Sequence, residues 1–305
     1  MASPPVAVNL HQPLTLSGRL DLPRRFTLAA AAIVVIIVGL LLAFIGWNGT
    51  QVFTDTGQSI SAILGPTWAP TDGVFGILPF ILGTLGVMVV AALIAGPLAI
   101  GLAVFMAEVA PPWATSITRP SMEIFVGIPS VVYGFLGATV LVPFLRINFG
   151  ALGFTVGKSW FAGSLVLALM ILPTIASIAY DALLTIPADL RSASLALGTT
   201  RWQTIRHILL PAAKAGLLTA VILGMMRAAG EALAVQMVIG NRPVIPTSLT
   251  APMTTLTAQI TLDMGNTVSG EPWNQALWTM GLVLLIMSFT FVVLARRLGR
   301  GRRAS

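Results

Sequence analysis

The sequence predicts an all-α polytopic membrane protein with about six transmembrane helices, and three observations carry that prediction. Of its 305 residues 56% are hydrophobic and only 9% charged, whereas a soluble domain carries about 25% charged residues. The apolar residues fall into runs of bilayer length separated by polar stretches, and a membrane helix needs about 20 such residues. The Lys and Arg residues gather on alternate connections between those runs, the pattern that orients a chain in a membrane.

Residues 1–25 are polar and proline-containing, end in Arg24 and Arg25, and read as a cytosolic arm. Residues 26–47 form the first transmembrane helix. That run is too long for a signal-peptide core and no small-residue cleavage site follows it, so it is a retained span. Asn48 to Gly73 reads as a polar loop with Asp55 and Asp72 and no cation. A second span from about Val74 to Met106 is interrupted by Pro79, Gly83, Gly86, Gly96 and Pro97 and exceeds one bilayer thickness, so tilt, a kink or an unwound piece is expected. After a short connection, a third span from Pro120 to about Leu145 contains Glu123 and GIPSVVYG (127–134). A Gly-rich loop leads to a fourth span, Trp160 to Leu184. A polar stretch over 186–214 precedes a fifth span from Ala215 to Gly240, and a loop to Glu271 precedes a sixth from Trp273 to Ala295. Residues 296–305 make a basic cytosolic tail.

With the N-terminus inside, the cytosolic side collects Arg19, Arg24, Arg25, Arg119, Arg191, Arg201, Arg206, Lys214, Arg296, Arg297, Arg300, Arg302 and Arg303. The far side has only Arg146, Lys158 and Arg242. Both termini are therefore expected in the cytosol. Trp47, Trp160 and Trp273 fall at outer span ends, where an aromatic belt belongs.

Several chemistries are excluded. With no cysteine there is no disulfide, thiolate metal site or Cys nucleophile. The segment GFTVGKS (153–159) has three residues between its glycines, where a phosphate-cradling loop needs four. No hydrolase motif is present, and His11 and His207 are too few and too separated for a metal site. The chain thus has no catalytic or metal site of its own, and if it pumps it must borrow an ATPase. The net charge of +7 lacks the aromatic-interleaved patch that nucleic acid requires.

Two places remain for function. From Ser192 to Pro211 the chain reads SASLALGTTRWQTIRHILLP, the one long charged interruption among apolar runs. A short amphipathic helix with Leu190, Leu195 and Leu197 ends at Gly198, and a second with Trp202, Ile205, Ile208 and Leu209 is expected to end at Pro211. Trp202 and the leucines suit a groove on a partner, and a helix pair lying on lipid has the same periodicity. The second place is the membrane itself. Arg227 and Glu231 stand four residues apart on the fifth span, hence on one helical face, beside Gly224, Ala228 and Gly230. An Arg within a bilayer costs about 2.5–3.5 kcal/mol on insertion scales, so it requires a partner or a polar cavity. A packing ion pair and a substrate role both answer that need. On the third span Glu123 is a further carboxylate, and Pro129, Ser130, Tyr133 and Gly134 suit either a polar break or a kinked packing site. Asp181 reads as solvated at a cytosolic span end.

Gly198, nine residues, then Ile208, Leu209, Leu210 and Pro211 is similar to the EAA loop of ATP-binding-cassette (ABC) importer permeases, E-A-A-x3-G-x9-I-x-L-P. Ala193 matches the central Ala, while Ser192 replaces the usual Glu and Ser194 an Ala. The closest likeness is to phosphate-specific permeases of the PstC type, through GIPSVVYG and RAAGEALAVQMVIGN (227–241). This resemblance implies a type I importer permease fold, with a core over 74–295 and a coupling loop over 186–214. It implies a bacterial inner-membrane location, a PstA-type second permease subunit, a PstB-type ATPase dimer using ATP and Mg, a PstS-type phosphate-binding protein, and inorganic phosphate as cargo. Arg227, Glu231, Glu123, Ser130 and Tyr133 would line the substrate path. Ser192, Ala193, Leu197, Gly198, Trp202, Ile208 and Pro211 would couple to the ATPase. A permease for another oxyanion or small solute would share the coupling loop. A secondary transporter or channel would work without ATP and usually shows an inverted repeat, of which there is no clear sign.

Overall fold

The computed structural model describes residues 21–300. Most of the expected N-terminal arm, with His11 and Arg19, lies outside the described residues, as do Arg302 and Arg303 of the tail. The chain divides at Trp47 into two units. The first, so far as it is described, is the apolar part of helix α1 (Asp21–Asp55), whose side chains from Phe26 to Leu42 are all exposed. The run expected over 26–47 is thus part of a longer helix that reaches Asp55.

The second unit, from Asn48 on, holds everything else. The stretch to Gly73 is more ordered than a polar loop. After α1 come a one-turn helix α2 (Ile60–Ile63) and strands β1 (Trp68–Ala69) and β2 (Val74–Phe75), paired antiparallel with Trp68 opposite Phe75. Trp68 sits edge-on to Phe75 and Phe80, and with Ile63, Ile77, Leu256, Leu277 and Met280 they form one of two buried clusters.

Helix α3 (Leu78–Val104) continues through a π-turn (Phe105–Val109). Then follow α4 (Pro112–Gly127), α5 (Ser130–Leu136), a π-turn (Gly137–Leu141), α6 (Val142–Phe149) and α7 (Trp160–Leu184). Next are α8 (Ala188–Ala196), α9 (Arg201–Thr204), a π-turn (Ile205–Leu209), α10 (Leu210–Ala229) and α11 (Leu233–Ile239). Helices α12 (Leu256–Asp263) and α13 (Pro272–Arg300) complete the described residues. Among the described residues, six stretches are long and apolar enough to cross a membrane: Arg24–Asp55, Leu78–Val109, Ser130–Leu152, Trp160–Leu184, Arg201–Ala229 and Pro272–Arg297.

The main core is built on α3 against α7, the most extensively packed helix pair, with α10 laid across both. Ala91, Ala95, Ala99 and Ala103 recur every fourth residue on α3 and are all fully buried. Small residues at that spacing let helix backbones approach closely where no hydrophobic effect drives them together.

Four expectations are corrected. The third span begins at Ser130, not Pro120. The peptide before a proline disfavours helix and Pro129 has no N–H to give, so the chain breaks at Ile128 and α4 becomes a separate helix carrying Glu123. The fifth span ends at Ala229 rather than Gly240, because the chain leaves the helix at Gly230 and restarts at Leu233. Pro211 does not stop the second helix of the polar stretch over 186–214. The π-turn before it carries the helix on, so Arg201–Ala229 is one continuous 29-residue span. All three π-turns end two residues before a proline, at Pro111, Pro143 and Pro211. Finally, the stretch after Gly240 contains α12, capped by the Thr255 hydroxyl and tied to α3 by a bond from the Leu256 amide to Thr84 Oγ1 (3.0 Å).

Candidate functional site: a cavity between two broken helices

The first break is chemically specific. Were α4 continuous, residue 129 would donate its amide to the carbonyl of Phe125, and Pro129 has none. The orphaned Phe125 carbonyl is taken by the Tyr133 hydroxyl at 2.9 Å, and the Val126 carbonyl by Arg227 Nη2 at 3.4 Å. Side chains from α5 and α10 thus cap the end of α4.

Arg227 reaches this point because α10 lies tightly on α7. A Cβ at Gly224 would run into the side chain of Ile175, itself fully buried. One turn on, Arg227 Nη1 donates to Thr174 Oγ1 at 2.7 Å. Thr174 lies seven residues from Asp181 and fourteen from Trp160 on α7, about 10 and 21 Å along the helix at about 1.5 Å per residue. Arg227 is therefore held well inside the apolar layer.

The second break runs from Gly230 to Ala232. The Glu231 amide donates to the Ala228 carbonyl, its carbonyl accepts from Thr257 Oγ1 at 2.7 Å, and its carboxylate Oε1 accepts from the Ala234 amide at 3.2 Å. Glu231 is a cap for α11. The break separates it from Arg227, and among the described residues the ion pairs are Arg119–Asp181 and Arg191–Glu108. The expectation of an Arg227–Glu231 pair on one helical face is therefore corrected: the helix ends between them.

The two breaks are neighbours. A Cβ on Gly134 would come within 2.8 Å of Ala234 Cα and of Met237 Sδ, so α5 rests directly on α11. Beside them opens a cavity of about 310 Å³ lined by Met122, Glu123, Val126, Pro173, Thr174, Ser177, Ile178 and Arg227. At about 30 Å³ per water molecule it has room for roughly ten. Arg227 and Glu123 line it, Tyr133 and Ser130 stand at the adjoining break, and Glu231 does not line it. Sequence reasoning missed Thr174 and Ser177. Their only signal is that hydroxyls at 174 and 177 and a carboxylate at 181 share one face of an otherwise apolar helix.

At the other functional place, α8 and α9 meet at Gly198, which takes φ +82°. Thr200 opens α9 with a capping box, accepting from the Gln203 amide while Gln203 Oε1 accepts from the Thr200 amide. Ser194 is buried and its hydroxyl meets those of Thr199 and Thr204 at 2.7 and 2.9 Å. Leu197 and Trp202 are 85% and 61% exposed, with Leu190 and Leu195 beside them. Ser192 and Ala193 are also exposed, and the Ser192 hydroxyl only donates back to the Ala188 and Asp189 carbonyls. Ile208 is half-buried in the π-turn and Pro211 follows it. The result is a knob with an apolar outer face.

Residues 99–304 match the model of a family described as the binding-protein-dependent transport system inner membrane component. The chain belongs to that family. This permease is 50% identical over 283 residues to a probable ABC transporter permease protein of Bacillus subtilis, YqgH, with 92% of this chain and 91% of that one covered. It is 35% identical to the phosphate transport system permease protein PstC of Xylella fastidiosa, covering 88% and 87% of the two chains. Among solved structures it shares a fold with a bacterial alginate ABC transporter (TM-score 0.62, 18% identity, 92% and 96% covered). It shares it also with the MetNI methionine ABC transporter in an inward-facing conformation (TM-score 0.57, 21% identity, 73% and 94% covered). The permease is thus an all-α, multi-pass membrane protein with the ABC importer fold.

Proposed function

We propose that this permease subunit moves inorganic phosphate inward at the expense of ATP hydrolysed by a separate ATPase. The observation that carries the reading is Arg227, held by neutral partners at the wall of a cavity with room for several water molecules, beside two broken helices. A guanidinium offers a planar fork of donors suited to an oxyanion. The relative from Xylella named as a phosphate permease supports the choice of cargo.

In this mechanism a PstA-type subunit supplies the other wall of the path and a PstS-type protein delivers phosphate. A PstB-type dimer, using ATP and Mg, docks on the apolar outer face of the knob. The permease itself supplies no ATPase and binds no cofactor. Both termini and the knob face the cytosol, the side on which Arg24, Arg25, Arg119, Arg191, Arg201 and Arg206 collect. Closure of the ATPase dimer moves the knob, and because the helix runs unbroken past Pro211, that motion enters α10 and carries Arg227 with it. Phosphate leaving Arg227 passes Ser177 and Glu123 toward the cytosolic ends of α4 and α7.

The test is uptake of labelled phosphate by membrane vesicles holding the assembled complex. Arg227→Ala and Arg227→Lys are expected to abolish uptake while the complex still copurifies, and normal uptake in Arg227→Ala would remove the substrate role. Competition by excess sulfate or molybdate, with none by phosphate, would reassign the cargo.

A further inference from the structure

Arg191, on α8, makes four hydrogen bonds to parts of the chain other than its own helix. Its Nε and Nη2 donate to Glu108 Oε1 at 2.9 and 2.8 Å, and its Nη1 and Nη2 donate to the carbonyls of Ile186 and Leu183 at 3.2 Å each. Glu108 lies in the π-turn that ends α3, and Leu183 is in the last turn of α7, where its carbonyl also accepts from the Ile186 amide at 3.3 Å. The pair is sheltered, its side chains 25% and 12% exposed, whereas Arg119 and Asp181 meet at 3.8 Å with both side chains more than half exposed. The backbone of α8 packs chiefly on α9 and the π-turn behind it. Between the knob and Glu108 lies a cavity of about 240 Å³. One guanidinium therefore bridges from the knob to the ends of two membrane helices.

We propose that Arg191 and Glu108 are positioning residues that transmit movement of the knob to α3 and α7. The inference rests on reading the knob as the ATPase-docking surface. Along its own chain the knob runs unbroken into α10 and is joined to α7 through the short link over residues 185–187, while no segment of the knob is joined along the chain to α3. Moving α10 without α7 would shear Arg227 from Thr174, because one sits on each helix. Arg191 stiffens the link to α7 by holding the Ile186 carbonyl within it and the Leu183 carbonyl at the helix end, nine residues from Thr174, or about 13 Å along the helix. Through Glu108 it grips α3, the helix packed most extensively on α7. The two walls of the cavity then travel together. A lysine could not replace the joint, since its single ammonium cannot address a carboxylate and two carbonyls from one rigid plane.

The experiment uses the complete complex in proteoliposomes and measures solute taken up per ATP hydrolysed for Arg191→Met, Arg191→Lys, Glu108→Gln, Arg191→Glu, and the swap Arg191→Glu with Glu108→Arg. Arg191→Met is expected to lower that ratio by roughly 5- to 150-fold, the usual span of a coupling free energy, with ATPase copurification and hydrolysis retained. Glu108→Gln is expected to lower it less, because the two carbonyl bonds survive, and Arg191→Lys falls between. The swap should exceed Arg191→Glu alone. A wild-type ratio in Arg191→Met, or loss of ATPase binding in every variant, would overturn the proposal. A second readout is independent of the cargo. Nucleotide-driven closure of the bound ATPase should change hydrogen exchange at residues 105–110 in the wild type and leave it unchanged in Glu108→Gln and Arg191→Met. Equal changes in all three would overturn the proposal even if the cargo is sulfate, whereas uptake of sulfate alone would remove only the phosphate reading.

Discussion

Thr174→Val isolates the contact that positions the cavity's cation. Valine keeps the branched shape and removes the oxygen that accepts from Arg227 Nη1 at 2.7 Å. A hydrogen bond to a charged group contributes about 1.5–3 kcal/mol. The lower end applies here, because Arg227 is half-buried at a cavity with room for water that can replace the lost acceptor. About 1.5 kcal/mol corresponds to roughly tenfold. Phosphate uptake by vesicles carrying Thr174→Val should therefore fall about tenfold, while Thr174→Ser, which keeps the hydroxyl, should stay close to wild type. Thermal unfolding of the purified complex separates positioning from damage, since a surface-accessible hydroxyl lost without change of shape should move the midpoint little. Equal uptake by the Val and Ser variants would refute the idea that Thr174 sets the position of Arg227.

Two further expectations concern glycines. Gly134→Ala would push a methyl into Ala234 Cα, a backbone atom that cannot turn aside, at a cost of about 1–3 kcal/mol. Thermal unfolding in detergent should show a lower midpoint, whereas Gly101→Ala, with nothing within 4 Å of the added atom, should leave it unchanged or raise it. At Gly198 the space is open and the backbone is the constraint, at φ +82°. Gly198→Val should cost about 1–2 kcal/mol and weaken ATPase copurification, while Gly198→Asn, which tolerates that region, should keep most of it.

The spans were legible in the sequence because burial in lipid demands long apolar runs, and α7 matches its run from Trp160 to Leu184 residue for residue. Span ends were legible where a proline acts by its ordinary chemistry and illegible where a π-turn intervenes. Pro211 reads as a stop, yet it lies inside a continuous helix. The break at Gly230 was hidden for the opposite reason. Apart from Gly230, RAAGEALAV is made of residues common in helices, and what sets the break is the Glu231 side chain reaching forward to the Ala234 amide at the start of the next helix. Thr174 and Ser177 were passed over because lone hydroxyls are common in membrane helices, and only the fold shows which of them faces a cation.

The separation of Arg227 from Glu231 bears on whether the two act as a gate. For them to pair, Glu231 would have to leave the Ala234 amide and uncap α11, a loss of about 0.5–2 kcal/mol. Arg227 would at the same time surrender its bond to Thr174 or its hold on the Val126 carbonyl. The return, an ion pair beside a cavity wide enough for water, is about 0–1 kcal/mol. Pairing is therefore unfavourable in this arrangement. The five donors of a guanidinium exceed the two that Thr174 and Val126 occupy, which leaves a cationic face toward the cavity. That asymmetry gives the two residues different surroundings, Arg227 turning donors toward the cavity and Glu231 bonded to the first turn of the neighbouring helix.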